Sequence, residues 1–266
     1  MIINNKYKLI SKLGSGTFGS IYKGENIRTK EFVAIKIEPL DANLKLLKNE
    51  SSIYNYLKKY NFSGIPQLKW YGLDNKNYYM VINLLGDSIQ SYVEKRGKLC
   101  LNDALIIGKK MLDIIQFIHD KGLIHRDIKP DNFLFGLNGD GSVNKEKLFL
   151  IDYGFCRPYK SLDDEHIENI PLKTIMGTCN YISVNVHNLN QPSRRDDVES
   201  VVYIIIYMLF GKIEWDSLKI DKEKHYMKLN VERNDDIPDM IKKYLLYVRN
   251  LKFDEQPRYD FTVYMN

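Results

Sequence analysis

The sequence is short of cysteine. Its three cysteines, Cys100, Cys156 and Cys179, are odd in number and none belongs to a CxxC pair. That pattern argues against a structural disulfide or zinc site and for a reducing, intracellular setting, cytoplasmic or nuclear. A long apolar run is missing as well. The longest, Val198 to Phe210, is interrupted by Glu199 and Ser200 and is too short to cross a bilayer, so it predicts a buried helix. The opening Met1-Ile2-Ile3-Asn4-Asn5-Lys6 lacks the continuous apolar core of a signal peptide. No internal repeat and no low-complexity linker is visible. No block of like charge is present either. The net charge of +5 comes from lysines spread along the chain, which gives nucleic-acid and membrane binding little support and favours acidic partners. What is left is an ordinary globular composition, 44% hydrophobic and 27% charged, over 266 residues. That length suffices for one two-lobed domain with a sizeable core.

The chemistry is densest in Ile124-His125-Arg126-Asp127-Ile128-Lys129-Pro130-Asp131-Asn132. A carboxylate at Asp127 can orient a hydroxyl and accept its proton. An ammonium at Lys129 can neutralise a phosphate oxygen, and the amide oxygen of Asn132 can hold a divalent cation. Together these are the means of moving a phosphoryl group onto an alcohol. His-Arg-Asp with Asn five residues after the Asp resembles the catalytic loop of protein kinases.

Upstream, Tyr7 to Leu13 and Ser20 to Gly24 alternate as strands around Gly14-Ser15-Gly16-Thr17-Phe18-Gly19. A glycine-rich turn of this kind lets the backbone approach phosphates closely. A dinucleotide fold would need a helix after the glycines. Here Ile21, Tyr22 and the β-rich run Glu31 to Ile37 predict strands instead. Val33-Ala34-Ile35-Lys36 places Lys36 on the third strand. A helix is predicted from an N-cap at Asp41 to about Lys59, with Leu46, Glu50, Ile53 and Leu57 on one face. Glu50 is then a carboxylate within an apolar stripe and needs a cation, for which Lys36 is the natural partner. Strands are predicted over Leu68 to Leu73 and Asn77 to Ile82, then a connector Asn83-Leu84-Leu85-Gly86. A helix from Asn102 to Lys121 follows, ended by Gly122, with His119 as a plain helix-end residue. Phe133-Leu134-Phe135 and Leu148 to Ile151 read as a hairpin delivering Asp152-Tyr153-Gly154. Its Gly136 to Gly141 turn resembles a calcium loop only superficially, since the ligand spacing and closing Glu are missing. Asp152 and Asn132, with nucleotide phosphates, would suit Mg²⁺.

Segments that usually vary among protein kinases carry a narrower resemblance. Leu84-Leu85-Gly86-Asp87-Ser88, Arg126 to Leu134, Ser183-Val184-Asn185 and Gln191 to Ser200 are similar to the casein kinase I family of serine/threonine kinases. Similarity extends from Tyr7 to about Tyr259. It implies an α+β, bilobal kinase domain over residues 1–266: a β-rich N-lobe with one helix to about 82, a hinge at 83–86, and a mainly helical C-lobe from 87 on. It implies ATP and Mg²⁺ as cofactors, protein substrates and a monomer. ATP would be bound by Leu13, Gly14, Gly16, Phe18, Gly19, Ile21, Ala34, Lys36, Glu50, Ile82, Asn83, Leu84 and Leu85. Asp127, Lys129, Asn132 and Thr178 would be catalytic, with Asn132 and Asp152 on the metal. Asp197 would start the buried helix and brace the catalytic loop. Lys129, two residues after Asp127, is the serine/threonine version.

Several positions depart from the family: Tyr153 for Phe, Asn83 for the acidic hinge residue, Val202 for Gly, and Gly177-Thr178-Cys179-Asn180-Tyr181 for Gly-Thr-Ala-Arg-Tyr, with Asn180 in place of the arginine. That arginine belongs to a site reading a phosphate already on the substrate. Lys173, Asn180, Lys224 and His225 would form this site here, with acidic substrates preferred and phosphate-primed recognition weakened. If His225 takes part, lowering the pH from about 7.5 to about 6 is expected to strengthen the primed preference, because the imidazole value of about 6.5 lies between. A pseudokinase is disfavoured by the joint presence of Lys36, Glu50, Asp127, Asn132 and Asp152. A small-molecule phosphotransferase is disfavoured by the segment from Asp152 to Asn185.

Overall fold

The computed structural model describes residues 1–16, 19–161 and 163–264. In chain order the elements are β1 (Ile2–Ile3), β2 (Tyr7–Gly16), β3 (Gly19–Asn26), β4 (Phe32–Pro39), α1 (Leu47–Lys58), β5 (Leu68–Leu73), β6 (Asn77–Asn83), α2 (Ile89–Arg96), α3 (Leu101–Asp120), β7 (Leu123–Ile124), β8 (Phe133–Leu137), β9 (Val143–Leu150), β10 (Arg157–Pro158), α4 (Val184–His187), α5 (Arg194–Phe210), α6 (Asp221–Leu229) and α7 (Asp239–Asn250). Two compact units result, residues 1–87 with 134–155, and residues 88–133 with 156–266. The hinge residues and the β8–β9 hairpin thus group with the β-rich unit.

In the first unit, strands pair antiparallel in the order β1-β2-β3-β4-β6-β5. Strand alternation sorts β4 into two faces. Val33 and Ile35 join Ile3, Tyr7, Tyr79 and Val81 in a buried core, flanked by Leu9, Ile37 and Trp70. Lys36 and Glu38 point the other way. The predicted strands at 68–73 and 77–82 are present.

The helix of this unit starts later than expected. Asp41 lies exposed in a turn, and α1 begins at Leu47. The cap comes from outside the local sequence: the buried Glu38 carboxylate accepts the main-chain N–H groups of Leu46 and Leu47 at 3.0 and 2.9 Å. These are among the N–H groups that a helix start leaves without intrahelical partners. Glu50, Ile53, Tyr54 and Leu57 form the buried face.

In the second unit, Ser88 caps α2 by accepting the N–H of Ser91 at 3.1 Å. Helix α3 buries Ala104, Ile107, Met111, Leu112, Ile115 and Ile118. It crosses α5 at Gly108, where a Cβ would come within 2.7 Å of Ile205 Cδ1. Helix α5 is buried around nearly its whole circumference, from Arg195 to Met208, as an apolar core helix must be. Strand β7 pairs with β10. Helices α6 and α7 complete the unit, α7 burying Ile241, Tyr244, Leu245 and Val248. Among the described residues, no helix is long and apolar enough to cross a membrane.

Candidate active site

The catalytic-loop candidate follows β7 in the second unit. Arg126 there has φ 70°, a left-handed conformation rare for a side-chain-bearing residue. Asp197 of α5 holds the chain in it, accepting the N–H of His125 at 2.6 Å and of Arg126 at 2.9 Å. Burial pushes the Asp197 carboxyl up. Its hydrogen bond with His119, with help from His125 and its N–H, outweighs that and holds it below the usual carboxylate range. His119 is therefore not a plain helix-end residue. Its ring is buried, with Nε2 3.1 Å from Asp197 and Nδ1 2.7 Å from the Tyr259 hydroxyl. The expected bracing role of Asp197 has direct geometric support.

Asp127 emerges from this clamp only 5% exposed. Lys129 Nζ donates to its Oδ2 at 2.7 Å, and Thr178 Oγ1 donates to its Oδ1 at 2.7 Å. Lys129 also lies 3.4 Å from the Thr178 hydroxyl. Asn132 donates its amide to the Asp127 carbonyl at 2.9 Å, leaving its Oδ1 as the atom suited to a cation. Gly177 has φ 94°, and a Cβ there would stand 2.9 Å from the Arg126 carbonyl. Only glycine brings Thr178 this close to the loop. The four expected catalytic residues thus converge within one unit.

In the first unit, Lys36 Nζ donates to Glu50 at 2.6 Å and to Asp152 at 2.9 Å. Burial would lower the Lys36 value, but the Glu50 and Asp152 carboxylates outweigh it and hold the ammonium above its ordinary range. Burial pushes Glu50 up against the pull of Lys36. Asp152 itself has φ 66°. Asn49 of α1 donates to the carbonyl of Gly154 at 2.9 Å, and the Tyr54 and Tyr153 rings meet edge to face at 5.1 Å. Gly14, Ile21, Lys36 and Met80 are successive cross-strand partners, and Ala34 stands opposite Ile82, so these residues share one sheet face. Leu13 is exposed, and Gly16 pairs with Gly19. The expected nucleotide contact Phe18 lies outside the described residues. Asn83 accepts the N–H of Gln67 at 2.7 Å through its side chain. Leu84 and Leu85 follow it, partly buried.

A family model described as a protein kinase domain matches residues 7–263. The chain belongs to the protein kinase family. The kinase carries the bilobal α+β fold of that family, which makes it a phosphotransferase with protein substrates.

The kinase's own residues fit a Mg-nucleotide. Among the described residues, a Cβ at Gly14 would meet no atom within 4 Å beyond its chain neighbours, so their packing does not demand glycine there, whereas close approach of phosphates would. Among the described residues no cluster of three or more His, Cys, Asp or Glu side chains could hold a metal alone. Asp152 in the first unit and Asn132 in the second each carry an oxygen of the kind Mg²⁺ takes.

The expected substrate-anion residues are only partly brought together. Asn180 donates its amide to Asp216 and accepts from Lys224 Nζ at 2.5 Å. His225 stacks on His187 with ring centroids 5.3 Å apart. Its Nε2 is buried and has no hydrogen-bond partner among the described residues. Burial, then the Lys228 charge, holds His225 below the ordinary imidazole value. That shift works against the gain of charge on His225 that the sequence leads one to expect as the pH falls. Lys173 is exposed.

Lys228, Glu38 and His119 were missed by sequence reasoning. Lys228 looks like one surface lysine among many, yet it is fully buried. A lysine three residues after His225, on a helix face shared with Lys224, was the only available signal.

Proposed function

We propose that the kinase is an ATP- and Mg²⁺-dependent serine/threonine kinase of the casein kinase I type, folded as one domain over residues 1–266. On this reading it acts on acidic protein substrates and depends weakly on substrate priming. The supporting observation is the Asp127 carboxylate, gripped on one oxygen by Lys129 and on the other by Thr178. That grip suits a base which orients a small alcohol and takes its proton. Mg-ATP, when bound, would supply the γ-phosphoryl group and a divalent charge to offset the phosphates. Lys36, held cationic by Glu50 and Asp152, binds phosphate oxygens. Asp152 and Asn132 offer oxygen ligands to the metal. Lys129 offsets charge on the transferring group while keeping Asp127 in place. The acidic preference follows from Lys173, Lys224 and the net charge of +5. Weak priming follows from Asn180, a neutral amide already engaged by Asp216 and Lys224.

The test is incubation with labelled ATP, Mg²⁺ and casein, with phosphoamino-acid analysis. Phosphoserine or phosphothreonine is expected from the wild type. Asp127→Asn is expected to keep nucleotide binding and lose most of kcat, because the residue acts on the hydroxyl. Phosphotyrosine alone, or full turnover by the variant, contradicts the reading.

A further inference from the structure

Lys228 of α6 has 0% exposure, an unusual place for a lysine, and burial pushes its amine down to about 7. Its three N–H bonds have three acceptors. Nζ is 2.7 Å from the Cys179 carbonyl, 2.7 Å from the Ile182 carbonyl and 3.1 Å from His187 Nε2. Nζ also lies over two aromatic rings, 5.0 Å from the Tyr203 centroid and 5.6 Å from that of Trp215. Burial and the neighbouring Lys228 charge keep His187 neutral, at about 3, so its Nε2 can accept.

The main chain that Lys228 grips is the turn beginning at Thr178. The Thr178 carbonyl accepts the N–H groups of Tyr181 and Ile182 at 2.8 and 3.1 Å. Trp215 Nε1 donates to the carbonyl of Asn180 at 2.7 Å. The carbonyls of 179, 180 and 182 are thus all bound by side chains arriving from below. The first residue of the same turn donates to the Asp127 carboxylate. A buried ammonium costs more than an apolar side chain of the same shape, so stability alone is a poor reason for a lysine here. Fixing the turn is a better one.

We propose that Lys228 is a positioning residue for phosphoryl transfer, acting through the 178–182 turn to set Thr178 against Asp127 and to shape the platform for the acceptor peptide. The proposal rests on the kinase reading. It assigns a role in the reaction to a residue with no contact to nucleotide or acceptor.

The experiment compares wild type, Lys228→Met and Lys228→Gln in three measurements. The first is amide hydrogen exchange at Tyr181 and Ile182. The second is ATP affinity with thermal unfolding. The third is steady-state kinetics on a casein-derived peptide. Lys228→Met is expected to speed exchange at Tyr181 and Ile182 by about tenfold or more, with α5 amides unchanged. It is expected to lower peptide kcat/KM on the order of a hundredfold while ATP affinity stays within about twofold. Lys228→Gln keeps two N–H donors and is expected to recover part of both losses. Unchanged exchange at 181 and 182 overturns the proposal whatever the activity. Parallel loss of ATP affinity and of α5 protection also overturns it, since that marks a general packing role. An inactive wild type would refute the kinase reading instead, and the exchange measurement would still decide the role of Lys228 in the turn.

Discussion

The carboxylate of Asp197 accepts the main-chain N–H of Arg126 at 2.9 Å while Arg126 holds φ at 70°. A left-handed residue with a side chain costs on the order of 1–3 kcal/mol unless its surroundings enforce it. Hydrogen bonds to a buried carboxylate contribute about 1.5–3 kcal/mol each, enough to enforce it. Asp197→Asn leaves one oxygen where two N–H groups need acceptors. Its kcat is expected to fall about a hundredfold with ATP affinity nearly unchanged, and its melting temperature by several degrees. Unaltered kcat in a destabilised variant would show that the clamp does not set Asp127.

Lys36 bonds to both Glu50 and Asp152, at 2.6 and 2.9 Å. Lys36→Ala and Glu50→Ala are expected to be strongly non-additive in log kcat/KM, because neither residue retains its role without the other. Asp152→Asn is expected to weaken the Mg²⁺ dependence instead. Additive losses in the Lys36/Glu50 double variant would separate the pair energetically despite its 2.6 Å contact.

His119 supplies a test by pH. Burial, partly opposed by Asp197, holds its imidazole below the ordinary value, so the folded protein keeps it neutral while the unfolded chain protonates. Its contribution to stability is present above about pH 6.5 and is lost as pH falls below that. The slope is at most about 1.4 kcal/mol per pH unit for one proton. Asp196, pushed up to about 6 by burial, works in the opposite direction, so a difference between variants is the proper readout. Urea unfolding from pH 7.5 to 5 is expected to show a shallower acid loss in His119→Gln than in wild type. Parallel curves would mean that His119 takes up no extra proton on unfolding.

Asn180 faces Asp216, which bears on any attempt to restore a phosphate-reading arginine. The single variant Asn180→Arg would pair its guanidinium with Asp216 and gain little. Asn180→Arg with Asp216→Asn is expected to raise kcat/KM for a phosphate-primed peptide about tenfold over the unprimed version, the scale of one charge-assisted pair. Kinetics on matched primed and unprimed peptides would show this, and equal gains on both would point away from phosphate reading.

The grouping of the candidate catalytic residues was legible because it is local: Asp127, Lys129 and Asn132 lie within one loop, and the Lys36–Glu50 pair follows from a charge in an apolar stripe. The strands at 68–73 and 77–82 were legible in the sequence, the second running one residue further, to Asn83, in the structure. The start of α1 was not. Asp41 has the right residue type for a cap, but the actual cap, Glu38, reaches the helix across an intervening loop that no local window resolves. His119 and Lys228 were missed for a related reason. Burial of a polar group depends on partners such as Asp197, Tyr259 and the Cys179 carbonyl, which are far away in sequence. The anion-site candidates come together only in part: Lys224 bonds to Asn180, whereas His225 stacks on His187.

Glu38 has a mechanical consequence. It sits two residues beyond Lys36 on β4 and on the same side of the strand, so one strand grips α1 twice: Lys36 through the Glu50 side chain, Glu38 through the first main-chain N–H groups. Swinging α1 away from β4 would break an ion pair and uncap a helix in a single movement. The strand and helix act as a latch with two catches, and the lysine stays loaded unless both release together.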